Sequence, residues 1–255
     1  MRQSLLAATF LLSLFSPTLA KADEAIRQWK GFNLGLSIGL AETDANSDGY
    51  AEGVNTDGAY WAPADLPTVN SVVEQDISTD SVVGGLDLGY NLQAGHLVLG
   101  LDGGAYATNT DKTIETFSVY PSNANGFTIR SAVRSNWFVK LAPKVGYIYR
   151  DFLFELSGGL AFASITTSFD LVQEANNGRA FAENNKIQQG WVVGAGLHYA
   201  LSDHWSINGK YTYANFGNVS ARGPLSFVGV ENRSAIEQDY NLRTHMVSLG
   251  VNYRF

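Results

Sequence analysis

The sequence predicts an all-β protein, an eight-stranded antiparallel up-and-down transmembrane β-barrel, and three observations support this prediction. Apolar and polar residues alternate with a period of two in eight segments, as they do along half-buried strands. The connections between these segments are very short and long in turn. The chain opens with an export-type segment and contains no cysteine, so a large closed sheet has to replace disulfide bonds as the source of stability.

Residues 1–22 have the composition of a secretory signal peptide. Arg2 supplies a basic start, Leu5 to Phe15 is mainly apolar, and Ala20-Lys21-Ala22 is a small-x-small cleavage site. The apolar run is shorter than the roughly 20 residues of a membrane-spanning helix. We therefore expect residues 1–22 to be removed and residues 23–255 to form the barrel. The formal net charge of -7 disfavours nucleic acid as a partner.

The first predicted strand shows the alternation clearly. Leu34, Leu36 and Ile38 would point to one face, with Gly35 and Ser37 on the other. The same pattern returns in seven further segments, whose apolar positions include Leu86, Leu88 and Tyr90; Leu97, Leu99 and Leu101; Trp137, Val139, Leu141, Val145 and Tyr147; Phe152, Phe154, Leu156 and Leu160; Trp191, Val193, Ala195 and Leu197; Trp205, Ile207, Tyr211 and Tyr213; and Val247, Leu249, Val251 and Tyr253. Each strand is predicted to be about 10 to 15 residues long.

The connections differ in length at the two ends of the predicted strands. Three are short turns, at residues 93–96, 150–151 and 202–204. Four are long and polar, and they are predicted to be extracellular loops, at residues 42–80, 109–134, 168–188 and 217–240. This layout is typical of bacterial outer-membrane barrels. Because an open sheet edge in hydrocarbon would leave backbone groups unpaired, the last strand is predicted to pair with the first.

Two features indicate that the apolar face meets lipid and the polar face lines the lumen. Aromatic residues on the apolar face cluster near both ends of the strands and form two predicted interfacial girdles. The girdle near the short turns contains Tyr90, Tyr147, Tyr149, Tyr199, Trp205 and Tyr253, and the one near the long loops contains Trp137, Phe162, Trp191 and Tyr213. The opposite face is rich in glycine, serine and alanine, which fit inside a narrow ring.

Charged residues of both signs fall on the predicted lumen face. They are Asp87, Asp102, Lys140, Lys144, Glu155, His198, Lys210 and Arg254. Charges in a low-dielectric ring need partners or water, so we predict an interior ion-pair network. An eight-stranded barrel leaves little space between side chains, which favours a structural plug over a wide pore. A narrow leak for small ions remains the alternative.

The last strand and several other segments resemble a known family. The stretch from Gly190 to Ser206, the segment Trp29 to Gly35, and Val247 to Phe255 resemble the porin-family outer-membrane immunogenic proteins, small bacterial surface antigens with an OmpA-like barrel. Val251, Tyr253 and Phe255 resemble the C-terminal sorting signal that the barrel-assembly machinery recognises. The resemblance implies an outer-membrane location, and for some relatives it implies haem binding. His198 departs from the family, whose members commonly carry a carboxylate at this position.

Two short motifs raise sharper hypotheses. Asp44, Asn46 and Asp48, followed by Gly49, have the alternate oxygen ligands and turn glycine of a calcium loop, although Asn55 stands where a closing glutamate is expected. A solvated acidic loop is the competing interpretation. His204-Trp205-Ser206 is similar to the His-x-Ser pair of small lipid A deacylases, but its short turn would lie on the periplasmic side, away from outer-leaflet acyl chains.

The function predicted from these observations is that of a structural outer-membrane surface protein that contributes to envelope integrity and surface interactions. We expect no cofactor and no enzymatic activity. Expected partners are outer-membrane lipid and lipopolysaccharide, the barrel-assembly machinery, and a host or surface ligand reached through the loops, with no nucleic acid among them. The alternatives are a narrow porin-like channel and a loop-borne adhesin or haem receptor. The aromatic residues available to such a receptor are Tyr60, Trp61, Phe117, Tyr120, Phe127, Phe181 and Phe227.

Overall fold

The computed structural model describes residues 26–52, 61–175, 178–227 and 230–255. Within these residues, eight antiparallel strands form a closed barrel in chain order, so the predicted fold class is confirmed. The elements are β1 (Gly31–Glu52), α1 (Leu66–Val73), β2 (Ile77–Ala94), β3 (Leu97–Val119), β4 (Gly126–Tyr149), β5 (Phe152–Gln173), β6 (Arg179–Ala200), β7 (Trp205–Phe227) and β8 (Val230–Arg254). The predicted signal peptide, residues 1–22, lies outside the described residues.

The barrel closes between its first and last strands. β1 pairs with β2 along one edge and with β8 along the other. The closing ladder runs from Asn33 opposite Arg254 to Glu52 opposite Ala235. The predicted pairing of the last strand with the first is therefore confirmed, and it removes the open edge that hydrocarbon would not tolerate.

The strands are longer than predicted, and three of the four predicted long loops are short connections, whereas the first connection, residues 53–76, is long and contains α1. The strands span 18 to 25 residues, whereas about 9–11 suffice to cross a membrane. Most of the second, third and fourth predicted loops, and residues 42–52 of the first, continue as strand in a region that we call the upper barrel: residues 41–52, 110–119, 126–135, 164–173, 179–190, 216–227 and 230–244. Here the alternation is reversed, so that apolar residues face the interior and polar residues face outward. Ile129 and Leu171 are buried inside, while Arg130 points outward, and this pattern still specifies a strand.

Helix α1 occupies a gap in the wall of the upper barrel. β2 begins only at Ile77, so the upper parts of β1 and β3 have no strand between them. The helix packs there, and Asn70 Oδ1 accepts a hydrogen bond from the Ala51 backbone N–H at 3.0 Å. Gln75 Nε2 donates to Thr116 Oγ1 at 2.6 Å on the β3 side. Among the described residues, no helix has the length and apolar character needed to cross a membrane.

The ladder between β6 and β7 is interrupted in the upper barrel. Pairing stops at Trp191 opposite Asn215 and resumes at Ala180 opposite Leu225. A bulge at Phe216, followed by Gly217 with φ 68°, bends β7 away at the lower end of this gap. Side-chain amides cross part of the gap: Asn184 donates to the Ser220 carbonyl and Gln188 to the Phe216 carbonyl.

Candidate functional site in the barrel lumen

Seven ionisable side chains meet in the lumen, in the half that lies nearer the short turns. We call them the lumen charge network: Asp87, Asp102, Lys140, Lys144, Glu155, His198 and Lys210. They come from six strands, β2 to β7, at positions that the period-two alternation directs inward. All are buried, with at most 7% of the residue surface exposed. The structure therefore brings together seven of the eight charges that the sequence placed on the lumen face.

Asp102 is contacted by all three lysines of the network. Lys140 Nζ lies 3.1 Å from Asp102 Oδ2. Lys210 Nζ and Lys144 Nζ lie 3.5 Å and 3.8 Å from Asp102 Oδ1. Each ammonium thus has a carboxylate within ion-pair distance, which offsets the cost of removing the charges from water.

Glu155 links the remaining members. Its Oε2 atom lies 3.0 Å from Lys144 Nζ and 3.1 Å from His198 Nε2. Its Oε1 atom lies 4.0 Å from Lys210 Nζ. Three carboxylates therefore face three ammonium groups, so the network is close to neutral before the charge state of His198 is counted.

Asp87 is held by two residues that the sequence analysis missed. Tyr106 Oη donates to Asp87 Oδ1 and Ser37 Oγ donates to Asp87 Oδ2, both at 2.8 Å. Lys210 Nζ approaches the same carboxylate at 3.3 Å. The alternation of β3 contains the signal that would have found Tyr106, because it lies four positions after the inward-facing Asp102.

Small residues make the space in which Tyr106 lies. A Cβ atom added to Gly85 would lie 2.2 Å from the Tyr106 ring, and one added to Gly104 would lie 2.5 Å from it. On its other side, the ring stacks on Phe138 with a centroid distance of 4.6 Å. The lumen glycines therefore serve packing, as the sequence analysis proposed for this face.

Apolar residues fill the lumen above the charge network. A cluster that includes Tyr106, Phe138, Phe216, Leu242 and Met246 spans the barrel. A second cluster lies in the upper barrel and joins α1 to the strands; it includes Trp61, Val69, Val73, Tyr120, Phe127, Ile129, Phe169, Leu171 and Ile236. A cavity between the inward threonines and the first cluster encloses about 30 Å³, which is room for about one water molecule.

The segment before β1 covers the lower end of the lumen. Arg27 forms salt bridges at 2.7 Å with Asp151 and with Asp203, which lie in two different short turns. The hydrogen bond to the Asp151 carboxylate raises the pKa of Arg27 above its usual value. Two residues later, Trp29 is 3% exposed and packs in a cluster with Val98.

Arg254 was predicted to belong to the charge network, and the structure places it elsewhere. Its guanidinium carbon lies 5.4 Å from the ring centroid of Trp29, near the lower mouth. It also donates to the Asp203 carbonyl oxygen. Within the described residues it forms no salt bridge, because strand β8 brings it to the barrel end, below the level of the network carboxylates.

A comparison with known families identifies the barrel. The model of the outer membrane protein beta-barrel domain matches residues 6–255, nearly the whole chain. The chain belongs to this outer-membrane barrel family. It is 28% identical over 182 residues to the 31 kDa outer-membrane immunogenic protein of Brucella melitensis biotype 1, covering 71% of this chain and 69% of that protein. It is 25% identical over 198 residues to the 25 kDa outer-membrane immunogenic protein of Brucella abortus biovar 1, with 78% and 75% covered. The resemblance to immunogenic outer-membrane proteins is thus confirmed.

Two solved structures are also similar to this chain. Neisserial surface protein A matches with a TM-score of 0.39 and 13% identity, covering 89% of this chain and 98% of its own. The outer membrane protein OprG from Pseudomonas aeruginosa matches with a TM-score of 0.43 and 12% identity, with 89% and 98% covered.

The outer surface of this outer-membrane barrel carries the predicted lipid-facing band. Leu36 on β1 and Leu249 on β8 each expose 67% of their surface, as expected for side chains that contact lipid. Aromatic pairs lie near both ends of the band: Trp205 packs against Tyr253 and Trp191 against Tyr213. Val251, Tyr253 and Phe255, the predicted assembly signal, lie at the lower end of β8 or just after it, and their role in assembly stays a prediction.

The predicted calcium loop is not a loop. Asp44, Asn46 and Asp48 all lie within β1 and point outward, opposite Arg243, Asn241 and Asp239 on β8. Alternate residues on an extended strand are about 7 Å apart and do not converge on one ion, as ligands in a curved loop do. The described residues hold no group of three or more histidine or acidic side chains suited to a metal ion.

The fold also separates the residues of the other sequence motifs. His204 stacks on Tyr253, whereas Ser206 is buried on the inward face of β7, so the structure does not bring this His-x-Ser pair together. Of the predicted receptor aromatics, Trp61, Tyr120 and Phe127 are buried inside the upper barrel, while Phe117 and Phe181 are exposed on its outer wall. Tyr60 lies outside the described residues, as does the side chain of Phe227.

Proposed function

We propose that this outer-membrane surface protein is a closed structural barrel that contributes to envelope integrity, and that its lumen does not conduct. The proposal rests on the side chains that fill the lumen. A path through the barrel would have to pass Trp29 at the lower mouth, the charge network, and then two apolar clusters. Ions crossing such packed apolar layers would lose their hydration without gaining ligands, at a cost of many kcal/mol.

The charge network supports the same function. Its ammonium and carboxylate groups are already within ion-pair distance of one another, so a permeating ion would have to displace Lys144 from Glu155 or Lys140 from Asp102. Several strands contribute to the network, which therefore ties distant parts of the wall together. We infer that the network holds a narrow barrel in one register and gives it rigidity. No catalytic role is proposed.

Planar-bilayer recording of the refolded, heat-modifiable barrel tests the proposal. We expect no discrete current steps from the wild-type protein, while a conducting porin reconstituted in the same lipid gives regular steps. Empty detergent serves as the second control. Reproducible steps that change in size when Glu155 is replaced by Gln would contradict the proposal and favour the narrow channel, because the network would then line the conducting path.

A second role is favoured by aromatic residues on the outer wall. Phe117 and Phe181 are 58% and 49% exposed in the upper barrel, beyond the lipid-facing band. We propose that surface interactions, including any haem binding, use this wall and the strand connections near it. A variant with Phe117→Ser and Phe181→Ser should bind host cells or haem less than wild type. Equal binding by the two proteins would exclude these aromatics as the contact residues.

A further inference from the structure

A small polar cavity lies at the lower end of the lumen, between Trp29 and the charge network. It encloses about 20 Å³, which is enough for one particle of the size of a water molecule. Lys144, Arg254, Trp29, Asn33 and His198 are among the residues that line it. None of the described residues around this cavity carries a carboxylate, although three carboxylates lie in the network above it.

The polar groups at the cavity include donors without acceptors. Trp29 Nε1 and Asn33 Nδ2 are both buried atoms with no hydrogen-bond partner among the described residues, and Asn91 Oδ1, at the same cavity, is a buried acceptor that also lacks one. Trp29 itself is 3% exposed. An indole N–H can only donate, and a buried donor left unpaired destabilises the folded state. A bound acceptor in this cavity would remove that destabilisation.

The balance of charge points in the same direction. The three carboxylates of the network match the three lysines, and Lys144 turns one flank of its side chain toward the cavity. Arg254 adds a positive charge that no described carboxylate pairs within salt-bridge distance. Two cationic side chains, Lys144 and Arg254, therefore line the cavity and no described carboxylate does, which favours an acceptor that carries a negative charge over a neutral one.

We propose that this cavity is a binding site for a single monatomic anion, of the class of chloride or bromide. Its volume excludes polyatomic anions such as phosphate or carboxylates. Trp29 Nε1, Asn33 Nδ2 and Arg254 provide the contacts, and Lys144 adds its charge from above. The anion reaches the site from the periplasmic end past the partly exposed Arg254, so entry does not require the charge network to open.

The position of the site gives it a structural consequence. Asn33 on β1 stands directly opposite Arg254 on β8, so the anion lies at the lower end of the seam that closes the barrel. It also contacts Trp29, which is held in place by hydrogen bonds to Gln93 and Asn91 on β2. A bound halide therefore connects the segment before β1, the first strand and the last strand.

Crystals of the refolded wild-type barrel grown in sodium bromide test the proposal directly. We expect an anomalous bromine peak in the cavity, within hydrogen-bond distance of Trp29 Nε1. The peak should be lost in Arg254→Gln and reduced in Trp29→Phe, a change that keeps the packing but removes the donor. Arg243→Gln, an exposed arginine on the outer face of the same strand, should retain it.

Urea unfolding in detergent micelles provides a second readout that does not depend on crystals. The unfolding midpoint of wild type and of Arg243→Gln should be higher in sodium bromide than in sodium gluconate of equal ionic strength, because gluconate is too large for the cavity. Arg254→Gln should lose this difference, with bromide affinity weakened about tenfold or more. Water in the cavity with no bromine peak, together with identical midpoints in the two salts, would overturn the proposal.

Discussion

Lys144 Nζ on β4 lies 3.0 Å from Glu155 Oε2 on β5, and both side chains are almost completely buried inside the barrel. The two residues lie on adjacent strands that are joined by the short turn at residues 150–151. The Glu155 carboxylate also lies near His198 and Lys210, so it is contacted by three basic side chains.

Replacing Glu155 by Gln should destabilise the barrel by about 3 kcal/mol, because removing one partner of a buried ion pair leaves the other charges uncompensated. The measurement is equilibrium urea unfolding in micelles, followed by tryptophan fluorescence. Glu183→Gln, on the exposed face of β6, is the matched control and should unfold close to wild type. If both variants unfold at the same urea concentration, the network contributes nothing to stability.

Two adjacent glycines on β2 should respond oppositely to alanine. Gly85→Ala places a methyl group 2.2 Å from the Tyr106 ring and should cost about 1–3 kcal/mol through overpacking. A Cβ at Gly84 meets nothing within 4 Å, so Gly84→Ala should be neutral or slightly stabilising. Unfolding midpoints of the two variants check this, and equal effects would mean that Tyr106 moves freely.

Arginine should be tolerated on the outer wall of the upper barrel and not in the lipid-facing band. Leu36→Arg, in the middle of the outward positions of lower β1, should cost about 2–4 kcal/mol in a bilayer. Phe117→Arg, at a similarly exposed position of the upper barrel, should cost far less because water surrounds it. Folding of both variants into vesicles, scored by heat-modifiable migration, measures the difference. Equal folding yields would place the membrane boundary elsewhere.

Asp65 should control the stability of α1. It is 4% exposed and accepts hydrogen bonds from the Ser122 N–H and Oγ at 2.9 and 2.7 Å, which tie the start of the helix to the β3–β4 connection. Asp65→Ala should increase amide hydrogen exchange in α1 severalfold, since these charge-assisted bonds are lost. Ser71→Ala, on the exposed side of the helix, serves as the control. Unchanged exchange in α1 would show that its apolar packing alone holds it.

An exposed ion pair in the upper barrel should be visible in a pH titration. Arg130 Nε donates to Glu115 Oε2 at 2.6 Å, and this hydrogen bond lowers the pKa of Glu115 below its usual range. A carboxyl with a lowered folded-state pKa contributes stability above its unfolded value and loses it as the pH falls through the lowered value. Carboxyl-carbon NMR should show the low pKa in wild type and a return to the usual range in Arg130→Gln. No difference between the two would mean that solvent screens the pair completely.

The lumen residues were predictable because strand geometry is strictly periodic. Once Asp102 or Glu155 is assigned to the inward face, every second residue shares that face, and closure into a ring brings inward charges from different strands together. Which charge pairs with which was not predictable. Those pairings depend on the stagger of neighbouring strands, as where Lys144 lies opposite Ser157 and meets Glu155 diagonally. Arg254 was misassigned for a related reason. The alternation predicts which face of the strand a residue occupies, but it does not predict where that residue lies along the barrel axis.

The sequence did not predict the upper barrel, because there the apolar residues of the alternation face the interior and the polar residues face outward. Phe127, Ile129 and Arg130 look like loop residues when an apolar exterior is expected, yet they form a strand with an apolar interior. The place of α1 was also not predictable, because a short amphipathic segment among polar residues does not indicate which gap it fills. The gap arises because β1 continues along β8 to Glu52, whereas β2 begins at Ile77, opposite Ala45.

By itself, the sequence determined the strand number, the closure of the barrel, the face of each lipid-contacting residue and the outer-membrane location. The first three follow from local periodicity and from the requirement that every backbone group be paired in hydrocarbon, and the location follows from the predicted signal peptide and the family resemblance. Only the tertiary structure decided the length of the wall beyond the membrane, the ion pairs of the lumen, the place of Trp29 at the lower mouth and of α1 in the wall, and the polar cavity beside Arg254. Those features depend on distances between strands that are far apart in the chain, and such distances are set when the whole ring packs.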